Sequence, residues 1–172
     1  KTVTADKQEG SGVGSMSALL LFGATGDLAR RMLWPSLYAL DVDGLLAADL
    51  RIVGTARSAL DRDGLAALVS DAIAAHVAGG LGNEAAVAKF LARLDYVPLD
   101  ATDMAGYGAL REAAGPAGCP VAIFLSTAPS LFGATIAGLQ GAGLACDNVR
   151  LALEKPPGSD LASSRLINDA VA

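Results

Sequence analysis

Five short, mostly apolar runs, each leaving into small or polar residues and separated by helix-length stretches, constrain the fold of this chain most. The runs are 18–22, 51–55, 96–99, 121–125 and 149–153. A continuous apolar run of about five residues reads as a strand buried on both faces, and that happens when helices cover both sides of a parallel sheet. The intervening stretches supply the helices: 27–40, 61–77, 83–94, 106–114 and 131–142. In 61–77, Leu65, Leu68, Val69, Ala72 and Ile73 recur at helical spacing, with Asp61 at its start. Asn83 stands where it caps the following helix, and Ser159 or Asp160 caps a last one. Pro35 falls inside the first helix and predicts a kink or a split there. Strands alternating with helices imply right-handed βαβ crossovers and a doubly wound, mostly parallel α/β sheet.

Composition narrows the function classes. The chain has 172 residues, 52% hydrophobic, enough for one packed domain without staples. Its 13 Lys+Arg against 18 Asp+Glu leave a net charge of −5, which argues against a nucleic-acid surface. A bound anion must therefore be met by local geometry. Cys119 and Cys146 form no CxxC, and His76 is the single histidine, so no metal site is expected and the thiols read as reduced, in a cytoplasmic setting. The stretch 113–146 carries no charge, but Gly115, Pro116, Pro120 and Pro129 break it into a strand and a helix, not a membrane span. Residues 1–15 are polar and Gly/Ser-rich and read as a tag-like leader, placing the domain at 16–172.

The first turn carries the clearest site signal. Gly23, Ala24, Thr25, Gly26, Asp27, Leu28, Ala29 and Arg30 follow the first strand and open a helix. Ligands of open parallel sheets lie beyond the carboxyl ends of the strands, and a glycine turn there brings backbone N–H groups and a helix N-terminus to a phosphate. Gly23 makes the turn, Gly26 allows close approach and Ala29 lets helix and sheet pack, in a GxxGxxA variant of the GxGxxG pattern. Asp27 favours the helix start and is assigned to the loop's own hydrogen bonding before any phosphate contact. After the second strand an NAD site usually places a carboxylate for the ribose hydroxyls. Here Arg57 and Ser58 stand instead, a guanidinium and a hydroxyl suited to the extra phosphate of NADP. A hydrogen bond to a charged group contributes about 1.5–3 kcal/mol, a preference of about 10- to 100-fold. Thr127 and Ala128 leave the fourth strand as small residues fit to lie beside ribose or nicotinamide, and Glu154 and Lys155 leave the fifth. Lys155 can meet a phosphate or hydroxyl as a mobile charge, and the following Pro156 and Pro157 admit a cis peptide bond. His76 reads as a helix-surface residue, not a base.

In order and spacing, the GATGDLA turn at 23–29, IVGTARS at 52–58, LSTAPSLF at 125–132 and EKPPGSDL at 154–161 resemble glucose-6-phosphate dehydrogenase. The resemblance runs from about Leu19 to the end and covers that family's N-terminal coenzyme domain, a Rossmann-like fold. It implies NADP-linked oxidation of glucose 6-phosphate to 6-phosphogluconolactone in the pentose phosphate pathway. Gly23 to Arg30 then match the pyrophosphate loop, Arg57 the residue for the 2′-phosphate, and Lys155 a lysine shared by cofactor and substrate. The 155–156 peptide matches one implicated in positioning that lysine, and Asp100 and Ala101 fall near the adenine. Pro157, Ala128 and Phe124 depart from the phenylalanine, proline and tyrosine usual in the family.

The family's catalytic histidine and aspartate lie in a second domain that would follow Ala172, so no catalytic residue is assigned here. The chain alone is expected to bind cofactor without turnover. It is expected to be a monomer or weak self-associate with an exposed apolar patch, while the parent is a homo-oligomer. A stand-alone NADP-binding or sensing module is the alternative. A short-chain reductase is disfavoured, because Tyr38, Tyr96 and Tyr107 are followed at the required spacing by Val42, Asp100 and Arg111 instead of lysine.

Overall fold

In a computed structural model, residues 17–116, 120–145 and 148–153 are described. Five strands form one parallel sheet in the order β3-β2-β1-β4-β5, with β1 Ala18–Phe22, β2 Arg51–Ala56, β3 Leu94–Pro98, β4 Val121–Leu125 and β5 Val149–Leu153. The helices are α1 Trp34–Val42, α2 Arg62–His76, α3 Glu84–Leu91, α4 Tyr107–Ala113 and α5 Phe132–Gly141. The doubly wound parallel sheet is thus as the apolar runs predict.

Alternation along each strand builds two cores. Leu21 and Ile52 face one side, where Trp34, Tyr38, Leu65, Val69, Ile73 and Phe90 pack from α1, α2 and α3. Leu20, Phe22, Val53, Ile123 and Leu125 face the other, against Tyr107, Leu110, Phe132 and Leu139 from α4 and α5. Gly54 in β2 is required by the first core, because a Cβ there would lie 2.9 Å from both Ala24 Cβ and Leu65 Cδ2.

Local chemistry sets the element ends. Asn83 Oδ1 accepts from Ala86 N at 3.1 Å, the cap expected there, and Asp61 Oδ1 accepts from Gly64 N at 2.8 Å, a cap where the sequence reads only as a solvated carboxylate. Two boundaries shift together around Arg93. Helix α3 ends at Leu91, not Leu94, and β3 begins at Leu94, two residues before the expected Tyr96. Arg93 causes the switch: its Nη1 donates to the carbonyls of Ala47, Ala48 and Leu50 at 2.8, 3.1 and 3.0 Å, and its Nη2 pairs with Asp41 at 2.9 Å. Near Pro35 the expected break takes the form of a change of helix type, from a π turn to an α-helix. A π turn over Ala29–Leu33 precedes α1, with Trp34 N–H donating to Ala29 O five residues back. The wider turn accommodates the proline that cannot donate.

Candidate dinucleotide site

Strand register brings the expected residues to one edge. Phe22 lies opposite Thr55 on one side and Leu125 on the other, Ala56 lies opposite Pro98, and Leu125 opposite Leu153. The segments beginning at 23, 57, 99 and 126 therefore leave the same carboxyl edge. The chain winds outward from β1 in both directions, so the switch point falls between β1 and β4, where such sheets bind ligands.

At that crevice Gly23 has φ +78°, and a Cβ on it would lie 2.2 Å from Ser126 O. Its N–H and that of Ala24 donate to Thr55 O at 2.9 and 3.2 Å, tying the turn to β2. Gly26 N–H donates to Gly23 O at 2.9 Å, and the helical ladder begins with Arg30 N–H to Gly26 O at 3.0 Å. The N–H groups of Asp27, Leu28 and Ala29 precede that ladder and carry the helix's partial positive charge. Gly23 makes the turn as expected, and it is also the glycine whose Cβ position another part of the backbone, Ser126 O, occupies. Ala24 and Ala29 are fully buried, so they meet a ligand only through backbone. Arg30 Nε folds back onto Thr25 O at 3.1 Å, and Asp27 pairs with Arg31 at 3.8 Å on an exposed surface, a contact contributing about 0–1 kcal/mol.

Beside this loop stands the turn after β2. Arg57 and Ser58 are exposed, and Arg57 makes no ion pair within 4.0 Å among the described residues. Ser58 Oγ lies 3.3 Å from Thr25 Oγ1, linking the two turns. Beyond β3, Asp100 Oδ1 accepts from Thr102 N at 2.9 Å and Thr102 Oγ1 at 2.7 Å. Those hydrogen bonds hold its carboxyl below the ordinary range, with Arg57 a smaller contributor. Ala101 is buried, and its carbonyl accepts from Tyr107 OH at 3.0 Å. Thr127 Oγ1, at the end of β4, is buried without a hydrogen-bond partner. An orphaned hydroxyl beside the crevice, free loop amides and an uncommitted guanidinium suit a dinucleotide's hydroxyls and phosphates. Ala128 is exposed beside it. Glu154, Lys155 and the 155–156 peptide lie outside the described residues, as do residues 1–16, Cys119, Cys146 and the last expected helix.

Trp34 and Tyr96 bear on the edge in ways that sequence reading missed. Trp34 is fully buried and its Nε1 donates to Ala24 O at 2.9 Å, fixing the loop from beneath. Tyr96 donates across to the turn after β2. The single tryptophan just after the glycine turn was the available signal for the first; nothing local signalled the second. His76 ends α2, exposed, and a helix antiparallel to its strands ends at the opposite edge of the sheet. No cluster of three metal-ligating side chains occurs among the described residues, and no helix there is long and apolar enough to cross a membrane.

Residues 20–172 match the family described as glucose-6-phosphate dehydrogenase, NAD binding domain. A glucose-6-phosphate 1-dehydrogenase of Zymomonas mobilis is 55% identical over 157 residues, covering 91% of this chain and 32% of that protein. One of Mycolicibacterium smegmatis is 41% identical over 157 residues, covering 88% and 32%. The crystal structure of the Mycobacterium avium enzyme superposes with TM-score 0.82 at 33% identity, over 92% of this chain and 34% of that one. A glucose-6-phosphate dehydrogenase solved with its substrate glucose 6-phosphate superposes with TM-score 0.77 at 25% identity, over the same shares. The chain spans about a third of the length of the curated relatives it matches.

Proposed function

The chain belongs to the glucose-6-phosphate dehydrogenase family, in its NAD binding domain, and from that membership we propose that it holds NADP for the oxidation of glucose 6-phosphate to 6-phosphogluconolactone by the whole protein. The observation that carries the cofactor half is the pairing, at one switch point, of a glycine turn closed onto Ser126 with an exposed Arg57 one strand away. In this reading the amides of 27–29 meet the pyrophosphate, and Gly23 to Arg30 form its loop. Arg57 and Ser58 meet the 2′-phosphate, Asp100 and Ala101 border the adenine, and Thr127 and Ala128 flank the ribose next to the nicotinamide. Glu154 and Lys155, outside the described residues, complete the set by resemblance, with Lys155 also meeting the substrate. When bound, the nicotinamide accepts the hydride from the sugar.

Hydride transfer from a hydroxyl carbon needs a base within hydrogen-bond reach. His76 stands at the opposite edge of the sheet. The proposal therefore assigns this chain cofactor binding, with the base supplied from elsewhere in the whole protein. A cytoplasmic location and a homo-oligomeric whole protein belong to the same reading and rest on family membership.

Titration calorimetry with both cofactors tests the site. Arg57→Ala is expected to weaken NADP binding about 10- to 100-fold and to leave NAD binding nearly unchanged. Equal losses would refute the assignment of Arg57. Reduced-cofactor absorbance in the whole protein with glucose 6-phosphate tests the reaction; no turnover there would refute it.

A further inference from the structure

Arg57 is an exposed side chain on a short turn, yet the backbone beneath it is held from three directions. Tyr96 of β3 is buried, its register partner on β2 is Gly54, and its hydroxyl reaches along β2 to the carbonyls flanking Arg57. The hydroxyl lies 2.8 Å from Ser58 O and 3.1 Å from Ala56 O, so its single proton is shared between the residues before and after the guanidinium. Ser58 O also accepts from Leu60 N at 2.9 Å, and Ala56 O from Leu99 N at 2.9 Å. Ser58 Oγ closes the set against Thr25 Oγ1 of the glycine turn. These contacts join residues 38 and 40 apart in sequence.

We propose that Tyr96 is a positioning residue for cofactor choice: its hydroxyl fixes the 56–58 backbone so that Arg57 leaves β2 in one direction, beside the glycine turn, toward a 2′-phosphate. A long side chain forfeits rotamer freedom when it binds, and a fixed Cα spares the backbone's share of that loss. The brace therefore acts on the ligand that Arg57 meets and little on one that lacks the extra phosphate. Burial raises the Tyr96 phenol above its ordinary 10.0, so it remains a proton donor at neutral pH. The inference rests on the reading that Arg57 meets the 2′-phosphate.

Tyr96→Phe removes one oxygen and keeps the ring in its cluster, so a cooperative melt is expected to survive. In the whole protein, this variant is expected to weaken NADP binding about five-fold, the worth of one hydrogen bond, and NAD binding by less than about two-fold. In an Arg57→Ala background the same change is expected to shift NADP affinity by less than about two-fold, because the group it positions is gone. Equal losses for both cofactors, no loss for either, or an undiminished effect beside Arg57→Ala would each overturn the brace. Arg57→Ala lowering the NADP preference while Tyr96→Phe does not would remove the brace and leave the functional reading standing. A wild-type protein that binds neither cofactor would remove that reading itself.

Discussion

Gly23 meets two demands at a single Cα. Its φ of +78° is one an L side chain adopts at a cost of about 1–2 kcal/mol. Its missing Cβ is also where Ser126 O would stand at 2.2 Å, and that atom belongs to backbone that cannot swing away. Overpacking of this kind costs a further ~1–3 kcal/mol. Gly23→Ala is therefore expected to destabilise by about 2–5 kcal/mol, read by denaturant unfolding, and to part β1 from β4 where the cofactor would lie. Gly26 carries a milder constraint: a Cβ there would sit 3.2 Å from Gly23 O. Gly26→Ala should cost less than Gly23→Ala, and the reverse order would show that the turn's strain lies elsewhere. The two tyrosines near the edge work on the same principle at longer range. Tyr96 fixes the turn after β2 and Tyr107 the turn after β3, each by a phenol donating to a backbone carbonyl.

Among the elements, the strands were the most legible in sequence, for a physical reason. Parallel strands covered on both faces admit few polar residues, so Ala18–Phe22 and Val121–Leu125 stand out as uninterrupted runs. β3 was legible only in part. Leu91, Ala92, Arg93 and Leu94 continue the helical spacing of α3, and no glycine or proline breaks it. What ends the helix is a side chain reaching distant carbonyls, and that has no local signature. The π turn was foreshadowed only by Pro35, the Trp34 contact only by a lone tryptophan after the glycine turn, and the Tyr96 hydrogen bonds not at all, because their acceptors are set by tertiary packing. For the site, the glycine turn and Arg57 were legible as types at strand ends; the supports beneath them were not. Arg93 also supplies the prediction at this scale. It and Asp41 are nearly buried, and the pair joins α1 to the turn before β3. Removing one partner of a buried pair leaves the other charge stranded, at about 3–5 kcal/mol. Lys89, 3.9 Å from Asp41 but largely exposed, offsets little of that. Arg93→Met is expected to destabilise by about 3–5 kcal/mol, and thermal unfolding reads it. A loss below about 1 kcal/mol would place the junction outside the interactions that hold the fold, as for an ordinary surface pair.

This chain's own charge sets a field that opposes its proposed ligand. A net charge of −5 repels a dinucleotide bearing an extra phosphate, while one guanidinium at the edge attracts it. Magnitudes decide which governs. A domain of this size has a radius of gyration of about 15 Å. At that distance five net charges act on each ligand charge with about 1.4 kcal/mol in unscreened water, falling to about 0.3 kcal/mol at 0.1 M salt. A guanidinium about 4 Å from a phosphate near the surface gives about 4 kcal/mol before desolvation and ordering are subtracted. The local contact therefore outweighs the global repulsion at physiological salt, and it remains to be screened after the repulsion has gone. Raising salt from about 0.1 to 0.5 M, where the Debye length contracts from about 10 Å toward 3 Å, is accordingly expected to narrow the NADP-over-NAD preference. In Arg57→Ala the small remaining preference should hold or rise, since only repulsion is left to screen. Calorimetric titration of both cofactors across that range reads the sign directly. A wild-type preference that grows with salt would mean that the net charge, and not the turn after β2, governs the choice of dinucleotide.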